Sequence, residues 1–487
     1  MHFGVAKFLQ EKYPCDLYAI IDVPDRRKTF FEKQKIIKFE KTWYYNDNIN
    51  LRNKKPDLPY LEYIEKKYNV NLWLLVINER IFYSNEYYKF TREEILAILE
   101  HECRLFEEIL NEIKLDFLVI LTNLHQNHLF YQMCKSQNVK ILLFSTARLG
   151  NRCIISSEED FIDIKNNYTL NYNSTRSLNN LQEILKKFNK WKNATTNASI
   201  FTFSKINLIK ATLQYLFFSK NVSIKTNYAY FGRMKLKVIL YSIIDLIRIR
   251  QRTNFINKNF IKSLEYDTPF IFFPLHQEPE KTLLKDAPFH TNQIEIIKHI
   301  AKSLPIGYKL YVKEHVSQIL RSWRPIPVYK KLLDLPNVVL IHPSVLPSKI
   351  IQKCALVITI RGTAGFEALF YGKPSIVFGN VLYKNLSSVT TVKNFEDLPY
   401  IIRSLLEKKV NLNELNHFVD FLLQNSFEFD WDGFEILANK YFAYGGYLSD
   451  ITTTEEQVKL FLKEEESTFN KLVDEYIKKI NWYKHNN

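Results

Sequence analysis

Along most of the chain, short apolar runs of strand length alternate with longer segments whose apolar residues recur at helical intervals. Residues 17–23 and 71–77 predict buried strands. The stretch 92–114 has helical spacing, with Thr91 as N-cap and Glu93 and Glu94 in the first turn. A strand is predicted over 116–121, a helix over 124–135 and a further strand over 139–144. Strands alternating with helices imply βαβ units and a largely parallel sheet. The polar stretch 165–198, rich in Asn, Ser, Thr and Lys, predicts connections around one helix at 178–191.

Residues 200–262 break that rhythm. Segments 201–218 and 234–250 are apolar, aromatic and basic at helical spacing, the second ending in Ile247-Arg248-Ile249-Arg250. They predict an interdomain connector whose apolar side packs on the protein; a helix lying on a membrane surface is the alternative. From residue 263 the alternation returns. Strands are predicted at 270–275, 309–312, 338–341, 356–360 and 375–378, with helices at 291–303 and 347–354, giving a second doubly wound sheet. The tail from 394 is mostly helical, with 454–480 as its last long element. The expected domains are therefore 1–195 and 263–487, both Rossmann-like, joined by a basic amphipathic connector at 196–262. Two doubly wound α/β domains facing a cleft, with C-terminal helices, make the architecture called GT-B.

At 487 residues with 46% apolar residues, the chain has ample material for two such cores. No apolar run is long enough to cross a bilayer, and the first residues lack the pattern of a secretory signal. The five cysteines are widely spaced, which suits a cytoplasmic location and offers no metal framework. A net charge of +15 points to an anionic partner: a membrane surface or an anionic nucleotide. No nucleic-acid module accompanies it, so nucleic acid is not expected as a partner.

Candidate chemistry concentrates at predicted strand ends. Four of the eleven glycines fall at 362, 365, 372 and 379, and Gly362-Thr363-Ala364-Gly365 turns from a strand into a helix. Such a turn exposes backbone N–H groups to an anion, most plausibly a nucleotide phosphate, with Glu367 one turn on to accept from ribose hydroxyls. Lys313 and His315 end another strand, where they are placed to neutralise phosphate oxygens. His276, Glu278 and Glu280 follow the first strand of this half and suit acid–base work or sugar binding. In the N-terminal half, His125 and Gln126 follow one strand, and Arg148 and Arg152 another; both pairs are candidates for the acceptor. No His and acid cluster has metal-ligand spacing, so metal-independent chemistry is expected.

Pro274-Leu275-His276 with Pro279-Glu280, Gln293, Tyr311-Val312-Lys313-Glu314-His315, Leu335-Pro336-Asn337-Val338 and Gly362 to Ala368 with Gly372-Lys373-Pro374 together resemble the bacterial capsule polysaccharide biosynthesis family. That family includes transferases of 3-deoxy-manno-octulosonic acid (Kdo). The resemblance spans about residues 265–385 and implies a GT-B glycosyltransferase acting on a nucleotide-sugar donor, CMP- or UDP-linked, with no further cofactor. It implies a glycan or glycolipid acceptor, and a cytoplasmic site at or near the anionic inner face of the membrane. Val316 stands where relatives carry proline after the histidine. The first motif also differs from the Gln-x-x-x-Asp form of the Kdo enzymes, so Kdo is not implied. A sugar-nucleotide epimerase of the UDP-N-acetylglucosamine 2-epimerase type, and a non-catalytic organiser of polysaccharide assembly, are the alternatives.

Overall fold

The computed structural model describes residues 1–49, 51, 55–163, 176–188, 205–218, 226–264, 268–444, 448 and 451–486. The connections expected at 165–175 and 189–198, and the start of the segment 201–218, lie outside these residues. The fold is α/β. In the first lobe, β1 (Tyr18–Ile21) and β2 (Lys41–Tyr44) form a two-stranded parallel sheet. A second sheet contains β3 (Phe117–Ile120), β4 (Lys140–Thr146) and β5 (Arg152–Ser156). Helix Arg92–Glu112 starts where its sequence predicts: Thr91 and Glu94 exchange side-chain to backbone hydrogen bonds in a capping box.

Two expectations for this lobe give way. Residues 71–77 form a helix, Leu72–Val76, not a strand. The run Leu-Trp-Leu-Leu-Val has no periodicity to decide the matter, and the Asn71 side chain decides it by accepting from the Leu74 N–H at 2.9 Å. Nor is the main sheet largely parallel as expected. β3 and β4 are parallel, but β5 folds back antiparallel on β4 through a tight turn at 147–151.

The second lobe is built as its sequence predicts. β6 (Phe270–Pro274), β7 (Lys309–Lys313), β8 (Val338–Ile341), β9 (Leu356–Thr359), β10 (Ser375–Val377) and β11 (Val389–Thr391) are all parallel, in the order β11-β10-β9-β6-β7-β8. The chain runs outward from β6 to β8, then restarts on the other side with β9. The doubly wound order thus has its switch point between β6 and β9, the place where such sheets open a crevice at their carboxyl ends. Phe272, Ile271, Val312, Val357 and Ile358 are fully buried, as strands covered on both faces must be.

The end of the chain does not stay with this lobe, as a domain running from 263 to 487 would. β12 (Phe427–Glu428) pairs antiparallel with β5, extending the first lobe's sheet. The long helix expected at 454–480 is two, Glu455–Glu464 and Glu466–His485. They bury Phe461, Phe469, Val473 and Tyr476 with Val5 and Phe8 of helix His2–Lys12 and Phe144 of β4. The connector departs from expectation too. Of the 25 residues in helix Lys235–Asn259, only Ile256 is buried. Among the described residues no helix is long and apolar enough to cross a membrane.

Phe469 tests the return of the C-terminus. It is 1% exposed and stacks on Phe8 at 5.6 Å between ring centroids. Phe469→Ala is expected to cost about 3–5 kcal/mol in urea unfolding of the first lobe. A loss below about 1 kcal/mol would show that these helices are not part of that core.

Candidate active site at the lobe interface

The three clusters of the second lobe follow β6, β7 and β9, which are neighbours in the sheet. His276 sits at the switch point and is held by its backbone. Its N–H donates to Gln293 Oε1 at 2.8 Å, and Gln293 Nε2 returns a bond to the His276 carbonyl at 3.1 Å. Its ring reaches across to β9, where Nε2 lies 3.3 Å from Thr359 Oγ1 and accepts from the Arg361 N–H at 3.4 Å. Burial, helped by the nearby positive charges of His315, Arg148 and Arg361, pushes its pKa down to about 3. His276 is therefore a neutral imidazole with Nε2 as acceptor.

The Gly362 turn serves close packing. The Gly362 N–H donates to Thr359 Oγ1 at 3.0 Å, and with the Arg361 N–H it is used inside the protein, not offered to an anion as expected. A Cβ on Gly362 would meet Thr359 Oγ1 at 2.6 Å, and one on Gly365 would meet the Tyr383 hydroxyl at 2.6 Å. Tyr383 in turn donates to the Gly362 carbonyl at 2.6 Å. Only residues without a Cβ let these two supports stand so close. The helix that follows, Thr363–Leu369, takes in Ala364 and Glu367.

On the other side of β6, Lys313 is buried, and its Nζ donates to the Glu314 carbonyl at 3.2 Å. Burial lowers its pKa to about 8 against the pull of Glu314. Among the described residues no carboxylate stands within ion-pair distance of it. His315 is exposed and its Nδ1 accepts from the Ser317 N–H at 3.2 Å. Glu314 anchors this corner: it is fully buried, pairs with Arg324 and accepts from the Tyr329 hydroxyl at 2.8 Å. Glu278 is likewise structural, joined to Gln293 and 3.5 Å from Arg324 Nε.

Glu280 differs from both. It is exposed, yet enough protein surrounds it that burial raises its pKa, while the charges of Arg321, Arg148, Arg80 and Lys281 oppose the rise. The Glu280 carboxyl is thus open to water while standing among the positive charges of Arg321, Arg148, Arg80 and Lys281, and water at its face limits the shift. Among the described residues Arg80 and Arg321 have no carboxylate within ion-pair distance. Neither cation carried a sequence signal. Asp22 was also passed over, although it directly follows β1. It too is exposed with a burial-raised pKa, opposed by hydrogen bonds from Asn46 and Gln126, the latter at 3.1 Å.

The lobes meet through charge. Arg148 grips Asp160 with Nε and Nη2 at 2.5 and 2.7 Å, and its Nη1 donates to the Arg361 carbonyl at 2.6 Å. Arg361, 2% exposed, pairs with the same Asp160 and with Asp286 at 2.5 Å. Burial pushes the Asp160 carboxyl up, but Arg148 and Arg361 together hold it below its usual range. Lys281 pairs with Glu159 across the same boundary, and Lys285 lies 3.4 Å from Glu79. A cavity of about 190 Å³ opens beside this clasp, lined by Arg148, Arg152, Thr363, Glu367, Trp431 and Asp432. Thr363 and Glu367 thus share a hollow with the first lobe, whereas His276 and Lys313 stand outside its lining.

Three acceptor candidates are engaged elsewhere. Arg152 ties β5 to the returning chain, donating to Ser426 Oγ at 2.6 Å and the Leu423 carbonyl at 2.8 Å. Gln126 is buried against Asp22. His125 does not open on the cleft: it is fully buried, with Nε2 2.9 Å from Glu102 and Nδ1 3.5 Å from Glu79. Among the described residues no group of His, Cys, Asp and Glu is arranged to hold a metal ion.

Over residues 170–397 the sequence matches the model of the family described as capsule polysaccharide biosynthesis protein. The matched segment includes His276, Glu280, Lys313, His315 and the Gly362 turn, and leaves out Asp22, Arg148 and Asp160. No match to a curated protein sequence was found. Among solved structures, the KpsC β-Kdo 2,7-transferase of Thermosulfurimonas dismutans is similar at 14% identity, over 83% of this chain and 89% of that one, with a TM-score of 0.31. Its 2,4-transferase counterpart is similar at 14% identity, over 61% and 77%, with a TM-score of 0.30. The UDP-GlcNAc 2-epimerase of Methanocaldococcus jannaschii follows at 13% identity, over 84% and 100%, with a TM-score of 0.25. Likenesses at that level carry nothing about substrate or reaction.

The buried His125 makes a prediction about pH. Burial lowers its pKa, but Glu102 and Glu79 outweigh burial and raise it to about 9. A group raised above its unfolded value of about 6.5 stabilises fully below that pH and loses its contribution as pH rises through about 9. His125→Ala is expected to cost about 3 kcal/mol in urea unfolding near pH 6 and clearly less near pH 9.5. Equal losses at both would show that His125 is uncharged in the fold.

Proposed function

We propose that the protein is a glycosyltransferase that moves a sugar from a nucleotide-activated donor, CMP- or UDP-linked, to a growing capsule or other surface polysaccharide or glycolipid. One observation carries this reading. His276 and the Gly362 turn, far apart in sequence and both within the family match, come together at the switch point of a doubly wound sheet, with Lys313 at the end of the adjoining strand β7.

Lys313 and His315 take the donor's phosphate, joined by Arg321 and Arg80, which supply positive charge where the leaving phosphate gains negative charge. Gly362 to Gly365 form the wall beside it, and Thr363 and Glu367 meet the ribose or the acceptor from the shared cavity. In the transfer, an acceptor hydroxyl oxygen bonds to the anomeric carbon and the bond from that carbon to the phosphate oxygen breaks. The hydroxyl proton passes to a carboxylate, and Glu280 and Asp22 are the water-accessible candidates on the two sides. His276, neutral and acceptor at Nε2, positions the β9 turn. Cations of the protein do the charge work of a metal-independent reaction, and Arg148 contributes from the clasp.

Lys313→Ala and Arg321→Ala are each expected to lower kcat/KM for the donor at least tenfold, about 1.4 kcal/mol, with the melting temperature of Arg321→Ala unchanged. Wild-type kcat/KM should fall as pH rises through about 8, where free Lys313 loses its proton. Full activity in both variants would refute the phosphate assignment. Conversion of the donor's sugar without acceptor would make the protein an epimerase instead.

A further inference from the structure

The connector is built inside out. Up to Arg252, helix Lys235–Asn259 touches the protein largely through polar residues, and only Phe255 and Ile256 near its end pack on the second lobe's core. Lys237 donates to the Tyr87 carbonyl at 2.5 Å, Arg248 pairs with Glu86 at 3.0 Å, and Arg252 donates to the carbonyls of Ser322 and Trp323 at 2.8 Å. Tyr241 packs on Tyr87 from the same side. The opposite face carries Leu236, Leu240, Ile243 and Ile247, spaced four, three and four residues apart as one stripe of an α-helix requires. All four are exposed, Leu236 by 83%, and Leu246 flanks them at 69%. Continued at the same spacing, the stripe ends in Arg250 and Lys258, both exposed.

The preceding helix, Lys205–Leu213, adds to this surface. Ile209, Leu213 and Phe217 are exposed, Phe217 by 74%. Lys235 Nζ donates to the Leu216 carbonyl at 2.6 Å, so the two helices are tied end to start. Charge selects the partner. Between residues 205 and 259 there are eleven Lys or Arg and a single acid, Asp245, a net +10 of the chain's +15. Asp245 is itself paired with Arg248.

We infer that the exposed face of helix Lys235–Asn259 forms a docking surface for a lipid bilayer carrying anionic headgroups, with the Leu236–Ile247 stripe entering the interface and Arg250 and Lys258 at its end meeting the headgroups. An apolar stripe alone would suit a second protein copy. Exposed cations on both partners, Lys210, Arg233, Arg250 and Lys258 among the described residues, would oppose that pairing, whereas an anionic surface is complementary to them. Such a helix lies in the plane of the membrane and does not span it.

The test is co-sedimentation of the full chain with vesicles of phosphatidylcholine alone and vesicles containing about one third phosphatidylglycerol. Binding is expected to the anionic vesicles, weakened by salt. Leu240→Glu/Ile243→Glu should reduce it at least tenfold without lowering the melting temperature, since both side chains are exposed, and Arg250→Glu should weaken it less. Absence of wild-type binding, or equal binding by the double variant, would overturn the inference. So would a concentration-dependent dimer that the double variant breaks, which would assign the stripe to a second copy. Vesicle binding needs neither donor nor acceptor, so its failure and the failure of the transferase reading are separate results.

Discussion

The arrangement of the two lobes depends on one carboxylate. Asp160 stands between Arg148 of the β4–β5 turn and Arg361 at the end of β9, and both guanidinium groups are withdrawn from water. Arg148 and Asp160 both hold left-handed backbone conformations, at φ of 59° and 50°. Non-glycine residues adopt that region at a cost, and here the ion pair between them offsets it. Without Asp160, Arg148 would lose its carboxylate and Arg361 would keep only Asp286, and a buried charge stripped of its partner is among the most destabilising defects a fold can carry. The clasp therefore fixes where the β4–β5 turn sits relative to the Gly362 turn, and with it the hollow that they share.

The positive charge of the chain resolves into two uses. One group of cations lies at the lobe boundary, where Arg148, Lys281 and Lys285 are tied to first-lobe carboxylates and Arg80 and Arg321 stand near Glu280. The other is the connector, whose residues hold most of the net excess. Under the proposed function, the first group meets the phosphate of an anionic donor. The second concerns a surface.

The second lobe was legible because its strands are buried on both faces and punctuated by Pro and Gly. Short apolar runs with sharp ends, such as 270–275 and 356–360, leave little freedom of assignment. The motifs there could be placed before the strands were seen to be neighbours. What the sequence hid was long-range. Nothing local marks Arg361 as the partner of Asp160, or Phe427 as a strand beside β5. The run at 71–77 is apolar throughout, so only the Asn71 cap separates helix from strand. The connector shows the reverse error. Its helical period was plain, but period does not say which face is covered, and over residues 236–247 the apolar stripe turned out to be the outer one. His125 was misjudged for a related reason: a histidine after a strand looks available until its two glutamate partners, Glu79 and Glu102, are brought in from distant segments.

In the proposed function the donor's phosphate lies at the carboxyl ends of β6 and β7, across from the first lobe. A crystal structure of the protein with CMP or UDP bound tests this most directly. The phosphate is predicted within hydrogen-bond distance of Lys313 or His315, on the side of the sheet facing Glu280. A nucleotide lodged in the first lobe, or no bound nucleotide at saturating concentration of either, would contradict it.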